Sequence, residues 1–180
     1  RTLLEMDQRI LVLDGNQRAA LAAVRSLGSK LLSVAVGETS VNSLAGSSRY
    51  CTERISYSDP TLAPRAFMDD ILSQISRLGI TFLLPITEAT AYVLLKYRQE
   101  LPDSVILPFP DSDIVERVAN KNELFRLALQ RGIPVPETLE CHDSLEGLEK
   151  LKTVKKFPIV LKPAKSKILL EDSIVSTQVI

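Results

Sequence analysis

"RILVLDGNQRAALAAVRSLGSKLLSVAVGE", residues 9–38, decides the fold. An apolar run ends in Asp14 and Gly15, which reads as a strand entering a turn. Ala20, Val24 and Leu27 then recur on one helical face, with Gly28 as the stop. "KLLSVAVGE" (30–38) is a second strand. Outward from there, "TSVNSLAGSSRYCTERISYSDP" (39–60) is polar and small, with a short strand around "RISY". "LAPRAFMDDILSQISRLG" (62–79) is an amphipathic helix with Phe67, Ile71, Ile75 and Leu78 on one side and Gly79 at its end. "ITFLLPIT" (80–87) is a near-continuous apolar strand, "EATAYVLLKYRQEL" (88–101) a helix and "SVILPFP" (104–110) a further strand. Strand and helix alternating in this way predict an α/β fold, a Rossmann-like parallel sheet with helices on both faces, over residues 8–112.

The pattern changes after Pro110. "DSDIVERVAN" (111–120) is a short helix capped by Asp111 or Ser112. "KNELFRLALQRG" (121–132) is another, with Asn120 as N-cap, Glu123 closing a capping box and Gly132 as terminator. "IPVPETLEC" (133–141) cannot be helical because its prolines break the ladder. "DSLEGLEKLKTVKK" (143–156) is a third helix and "FPIVLKPA" (157–164) a strand that is apolar almost to Lys162. The remainder reads as a loop and strands, and residues 113–180 form a second region. The first residues, "RTLLEMD", read as a few loose positions ahead of a strand.

Composition narrows the function. Of 180 residues, 45% are hydrophobic and 24% charged, as in a globular protein, and the formal net charge is +0. That balance gives no electrostatic argument for nucleic acid or a membrane surface. No apolar run is long enough to cross a bilayer. Cys51 and Cys141 lie far apart in no metal-like spacing and read as reduced, structural thiols of a cytoplasmic protein. His142, the single histidine, reads as a capping or surface residue.

The first turn, "LDGNQRAA", has one glycine and no G-x-G-x-x-G, so a dinucleotide-dependent oxidoreductase lacks its fingerprint, and no P-loop motif occurs. Lys162 is a stronger lead. An ammonium at the end of an apolar strand, followed by Pro163 and by Lys165 and Lys167 in a short loop, suits a phosphate. Lys121 opens a helix whose free N–H groups favour an anion, although a solvated surface lysine would look the same. Open α/β sheets bind ligands at the carboxyl ends of their strands. That places Asp14, Asn16, Thr87 and Glu88 as substrate-binding candidates, with Arg49 able to hold a carboxylate or phosphate. N-capping by Thr87, with Glu88 in the first turn, explains those two equally well.

Together, "NKNELFRLALQRGIPVPET" (120–138) and "FPIVLKPA" resemble the start of an ATP-grasp domain, and the preceding unit resembles the pre-ATP-grasp domain of that superfamily. "AGSSRYCTERISYSDP" (45–60), "ITFLLPITEAT" (80–90) and residues 111–138 are similar to its carbamoyl-phosphate-synthase-like branch. The resemblance implies that Lys121 reaches ATP phosphate and that Lys162 contacts the α-phosphate and the adenine side. It implies an ATP- and Mg²⁺-dependent ligase that activates a carboxylate as an acyl phosphate for attack by an amine-like nucleophile, with homodimers common among such modules. Two departures stand out. "AKSKILLED" (164–172) has no glycine where many relatives have a Gly-rich loop, so Lys165, Ser166 and Lys167 would substitute charge for backbone amides. The family's metal ligands and adenine-clamping hinge would lie beyond Ile180. The expectation is therefore the N-terminal part of a longer enzyme, inactive by itself. The alternative is a non-catalytic metabolite-binding or dimerising α/β module that needs a partner chain.

Overall fold

The computed structural model describes residues 8–170 and 173–177. The stretch "RTLLEMD" and the last residues of the alternating tail lie outside them. The chain forms two compact units. One comprises residues 8–112 with 169–170 and 173–175, and the other residues 113–168 with 176 and 177.

The first unit is built on four parallel strands, β1 (Arg9–Val12), β2 (Ser33–Glu38), β3 (Glu53–Ser56) and β4 (Phe82–Leu84), in the order β3-β2-β1-β4. "SVILPFP" contributes only one parallel bridge, Ile106 to Phe82, closed by Leu83 N–H to Ile106 O and Ile106 N–H to Thr81 O, both 2.9 Å. The predicted strand is thus a stub. Pro108 and Pro110 remove the donors needed to extend it.

Alternation along the strands assigns the two faces. Ile10, Val12, Val34 and Val36 pack with Ala20 and Val24 of α1 (Arg18–Gly28). Leu11, Leu13, Ala35 and Leu83 are equally buried and point to the other face. There α2 (Pro64–Leu78) buries Phe67, Met68, Ile71 and Ile75 and packs on α3 (Glu88–Lys96), which buries Val93 and Leu94. Pro64 opens α2 and Gly79, at φ +62°, closes it in the left-handed conformation. Gly28 stands at the end of α1 as the sequence suggested, but without the left-handed conformation that Gly79 adopts. It is the last residue of α1, and a Cβ there would sit 2.5 Å from the Cβ of Tyr50. Close packing explains that glycine, and Leu31 takes the left-handed turn at φ +64° instead.

In the second unit, α4 (Ser112–Ala119), α5 (Lys121–Gln130) and α6 (Ser144–Leu151) bury no residue. The Oδ1 of Asn120 caps α5 by accepting from Asn122 N–H (3.1 Å) and Glu123 N–H (3.4 Å). The reciprocal half of the capping box does not form, because the N–H of Asn120 continues the previous helix to Glu116 O. Gly132, at φ +70°, terminates α5 as predicted. Asp143 caps α6, which stops at Leu151, short of the predicted 156. "IPVPETLEC" is non-helical.

"FPIVLKPA" is not a strand. Phe157, Val160 and Leu161 are 71%, 67% and 49% exposed. A strand requires a neighbour to exchange N–H and C=O bonds, and no described segment pairs with this one. The short strands β5 (Lys167–Leu169) and β6 (Ile174–Ser176) pair with each other, and Ile174 N–H donates to Thr61 O at 2.9 Å.

Candidate functional site

The second unit gathers three of its four candidate lysines through hydrogen bonds. Lys121, at the first position of α5, donates its backbone N–H to Ala164 O (2.9 Å) and its Nζ to Ser166 Oγ (3.1 Å). Thr177 holds the same loop by donating its N–H to Ser166 O (3.0 Å) and its hydroxyl to Lys165 O (2.6 Å). The Nζ of Lys165 lies 3.8 Å from a Glu116 carboxylate oxygen, and that of Lys167 donates to Ser176 Oγ. Lys162 stands three residues before this loop, exposed, with no hydrogen-bond or ion-pair partner among the described residues.

The charge arrangement matters more than the distances. Lys150 and Lys152 are each paired with a carboxylate of their own helix, Glu146 and Glu149. Among the described residues Lys121 and Lys167 meet only neutral hydroxyls, and Lys162 meets no hydrogen-bond or ion-pair partner. Three ammonium groups without acidic partners can receive an anion with little to displace. The helix end does not add to them in the way the sequence suggested. Lys121 N–H is taken by Ala164 O, and those of Asn122 and Glu123 by the Asn120 side chain. Among the described residues, no group of three or more His, Cys, Asp or Glu is placed to hold a metal ion.

A groove of about 270 Å³ in the same unit lies between α5 and residues 135–140, lined by Phe125, Leu129, Val135 and Pro136. The Arg126–Glu140 ion pair, at 2.7 Å, borders it, and none of the four lysines does.

In the first unit the carboxyl ends of β1, β2 and β4 converge. Asp14, 8% exposed and at φ +60°, accepts on Oδ2 from Ile86 N–H (2.9 Å), Thr87 N–H (2.8 Å) and the Thr90 hydroxyl (2.7 Å), and on Oδ1 from the Thr87 hydroxyl (3.1 Å). Its own N–H donates to the Tyr57 hydroxyl (3.0 Å). Burial, and then the Asp14 charge, push the Tyr57 phenol far above its ordinary range. The Oγ of Thr87 also caps α3 by accepting from Thr90 N–H. Asn16 N–H donates to Glu38 Oε2 (3.0 Å), and Asn16 Oδ1 accepts from Leu44 N–H (3.2 Å). Glu88, exposed in the first turn of α3, has no partner among the described residues.

Gly15 permits the tight approach of the following loop. A Cβ there would lie 2.6 Å from Ser43 Oγ. The space that a dinucleotide pyrophosphate would use above a first-turn glycine is filled by the chain itself, in line with the missing fingerprint. Arg49 does not join this group. It stacks 4.9 Å over Tyr50, beside the end of α1 and close to the start of β2, where Thr52 N–H donates to Val34 O.

Tyr57 and Thr90 were not singled out in the sequence. Their signals were present, in a buried-type Asp-Gly turn and a Thr-x-x-Thr helix start, but their partners lie 43 and 76 residues away. Cys51 is half-buried, its S–H donating to Glu53 O, and burial pushes its thiol pKa up, so it suits packing rather than reactivity. Cys141 is free and exposed, and His142 donates its backbone N–H to Glu146 Oε2 (2.8 Å) at the start of α6.

No protein-family model matches the chain. D-aspartate ligase of Enterococcus faecium (strain Aus0004) is 28% identical over 86 residues, 47% of this chain and 20% of that protein. The biotin carboxylase domain of a single-chain bacterial carboxylase superposes with a TM-score of 0.59 at 16% identity, over 81% of this chain and 34% of that one. Glycinamide-RNase-transformylase T from Mycobacterium tuberculosis gives 0.57 at 23%, over 95% and 44%. L-amino acid ligase from Bacillus licheniformis gives 0.56 at 17%, over 94% and 39%. These are ATP-grasp ligases, and the chain has the α/β fold of their N-terminal region. It spans a fifth of the curated relative and less than half of each of these solved chains.

Proposed function

We propose that this chain is the N-terminal part of an ATP-dependent ligase of the ATP-grasp type. The observation that carries this reading is the set of lysines at 121, 162 and 167, without an acidic partner among the described residues and set at or near one loop, on a fold shared with ligases. In the reaction proposed, the γ-phosphoryl group of ATP passes to a substrate carboxylate, and an amine-like nucleophile then displaces phosphate from the acyl phosphate. Lys121, Lys162, Lys165 and Lys167 would hold the phosphates and neutralise charge as it moves between oxygens, which is catalysis by positioning and electrostatics. Mg²⁺, entering with the nucleotide, would offset phosphate charge beside these lysines, since among the described residues no group of three or more His, Cys, Asp or Glu is placed to hold it. Asn16 and Glu88, at the carboxyl ends of the first unit, are the groups proposed to meet the acceptor substrate, with Asp14 and Thr87 supporting that edge from behind. The loop sequences at 45–60 and 80–90 favour the carbamoyl-phosphate-synthase-like branch, and the reduced cysteines favour the cytoplasm. Among the described residues no helix is long and apolar enough to cross a membrane.

A second reading is a metabolite-binding or dimerising module completed by a partner chain. It is favoured by one observation, the absence of any buried residue in α4, α5 and α6.

Calorimetric titration with ATP, with and without Mg²⁺, tests the first reading on this chain and on the full polypeptide that carries it. A charge-assisted contact contributes about 1.5–3 kcal/mol, so Lys162→Ala is expected to weaken ATP binding by roughly ten- to a hundredfold. Full-polypeptide affinity that is unchanged in both Lys162→Ala and Lys121→Ala would remove the nucleotide role of this loop.

A further inference from the structure

The strand order β3-β2-β1-β4 means that the chain leaves β1 toward one edge and returns to the other side of β1 with β4. Between β1 and β4 lies the switch point, where open α/β sheets receive ligands, and the start of α3 faces it with donors that favour an anion. In this protein an anion is already there. The Asp14 carboxylate is more than nine-tenths buried and takes the N–H groups of Ile86 and Thr87 and the hydroxyls of Thr87 and Thr90. Its backbone is held at φ +60° in the conformation that aims it inward, with the Tyr57 hydroxyl accepting its N–H.

We propose that Asp14 is an internal anion that closes the β1–β4 crevice of the first unit to phosphate and carboxylate ligands. It is a positioning residue: it orders the start of α3 and occupies the donors that a ligand anion would need. The groups left at this edge are the side-chain NH2 of Asn16, whose Oδ1 accepts from Leu44 N–H, and the carboxylates of Glu38 and Glu88, of which Glu38 accepts from Asn16 and Thr39. This edge therefore suits a neutral or cationic group, such as an amine, and excludes a nucleotide phosphate. The inference rests on the first unit alone and stands or falls separately from nucleotide binding by the lysine loop.

Chemical rescue tests it. Asp14→Gly removes the carboxylate and suits the left-handed backbone. In chloride its melting temperature is expected to fall below that of the wild type. In formate or inorganic phosphate at matched ionic strength it should recover in a saturable way, while the wild type shows no such gain. An Asp14→Gly chain that gains nothing from either anion, or a wild type that gains as much, overturns the proposal. If Asp14→Gly does not fold in any of these buffers, the wild type decides. Inorganic phosphate should leave the amide resonances of Ile86, Thr87 and Thr90 in place, and a saturable movement of those signals overturns it.

Discussion

Replacing Thr90 by Val removes the hydroxyl whose shortest bond is to the Asp14 carboxylate, with longer contacts to Thr87 O (3.1 Å) and Thr87 Oγ (3.4 Å). Thr90 is fully buried, and its hydroxyl lies 2.7 Å from Asp14 Oδ2. Valine keeps the branched shape and nearly the volume, so packing against the sheet should persist. What goes is a hydrogen bond to an ionised group, which contributes about 1.5–3 kcal/mol, partly offset because the hydroxyl no longer has to be desolvated. A net loss of about 2 kcal/mol is expected for Thr90→Val. Thr90→Ser keeps the hydroxyl and gives up one buried methyl, which costs about 1 kcal/mol. Urea unfolding followed by circular dichroism reads both, with the midpoint shifting and the slope unchanged if only the folded state is affected. Valine as stable as wild type, or more stable than serine, would refute the reasoning. Either result would mean that the methyl rather than the hydroxyl stabilises this position and that Asp14 does not depend on its fourth donor.

Three further outcomes follow from the backbone and the buried phenol. Leu31→Gly should raise stability by about 0.5–1 kcal/mol in the same assay, because Leu31 is 96% exposed at φ +64° and a left-handed L-residue costs about 1–2 kcal/mol, more than the added chain entropy of glycine. Gly132→Ala should lower it by about 1 kcal/mol: a Cβ there meets nothing within 4 Å, so only the φ of +70° opposes it. Tyr57 has its folded pKa raised by burial and by the Asp14 charge, so its contribution is complete below the ordinary phenol range and is lost as pH rises above about 10. The loss of stability from pH 9 to 11 should accordingly be shallower in Tyr57→Phe, and an identical slope would mean that this phenol ionises freely in the folded chain.

The helices, their starts and the two ends set by Gly79 and Gly132 are legible because their causes are local, whereas α3 and α6 stop short of the predicted 101 and 156. Asn120, Thr87 and Asp143 cap the segments they precede. Gly79 and Gly132 end α2 and α5 with positive φ, and the prolines at 134 and 136 keep that segment extended. The apolar runs at 9–12, 33–38 and 82–84 became the central sheet because both of their faces are covered by helices. Equally apolar, "FPIVLKPA" did not, since a strand is a property of two segments and no described segment pairs with it as a strand.

Residue type and spacing by themselves determined the α/β alternation, the helix starts and the candidate lysines. Tertiary structure alone decided which of those groups meet. It set the Lys121 ammonium on Ser166, 45 residues away, moved Arg49 away from the carboxyl ends of the strands, and packed Gly28 against Tyr50. It also consumed the Asp14 carboxylate in bonds to residues more than 70 positions along the chain. The physical reason is range. Helix hydrogen bonds and caps close within about four residues and can be read in order. Which donors surround a buried carboxylate depends on strand order and on the side of β1 to which the chain returns, and both arise only when the sheet assembles.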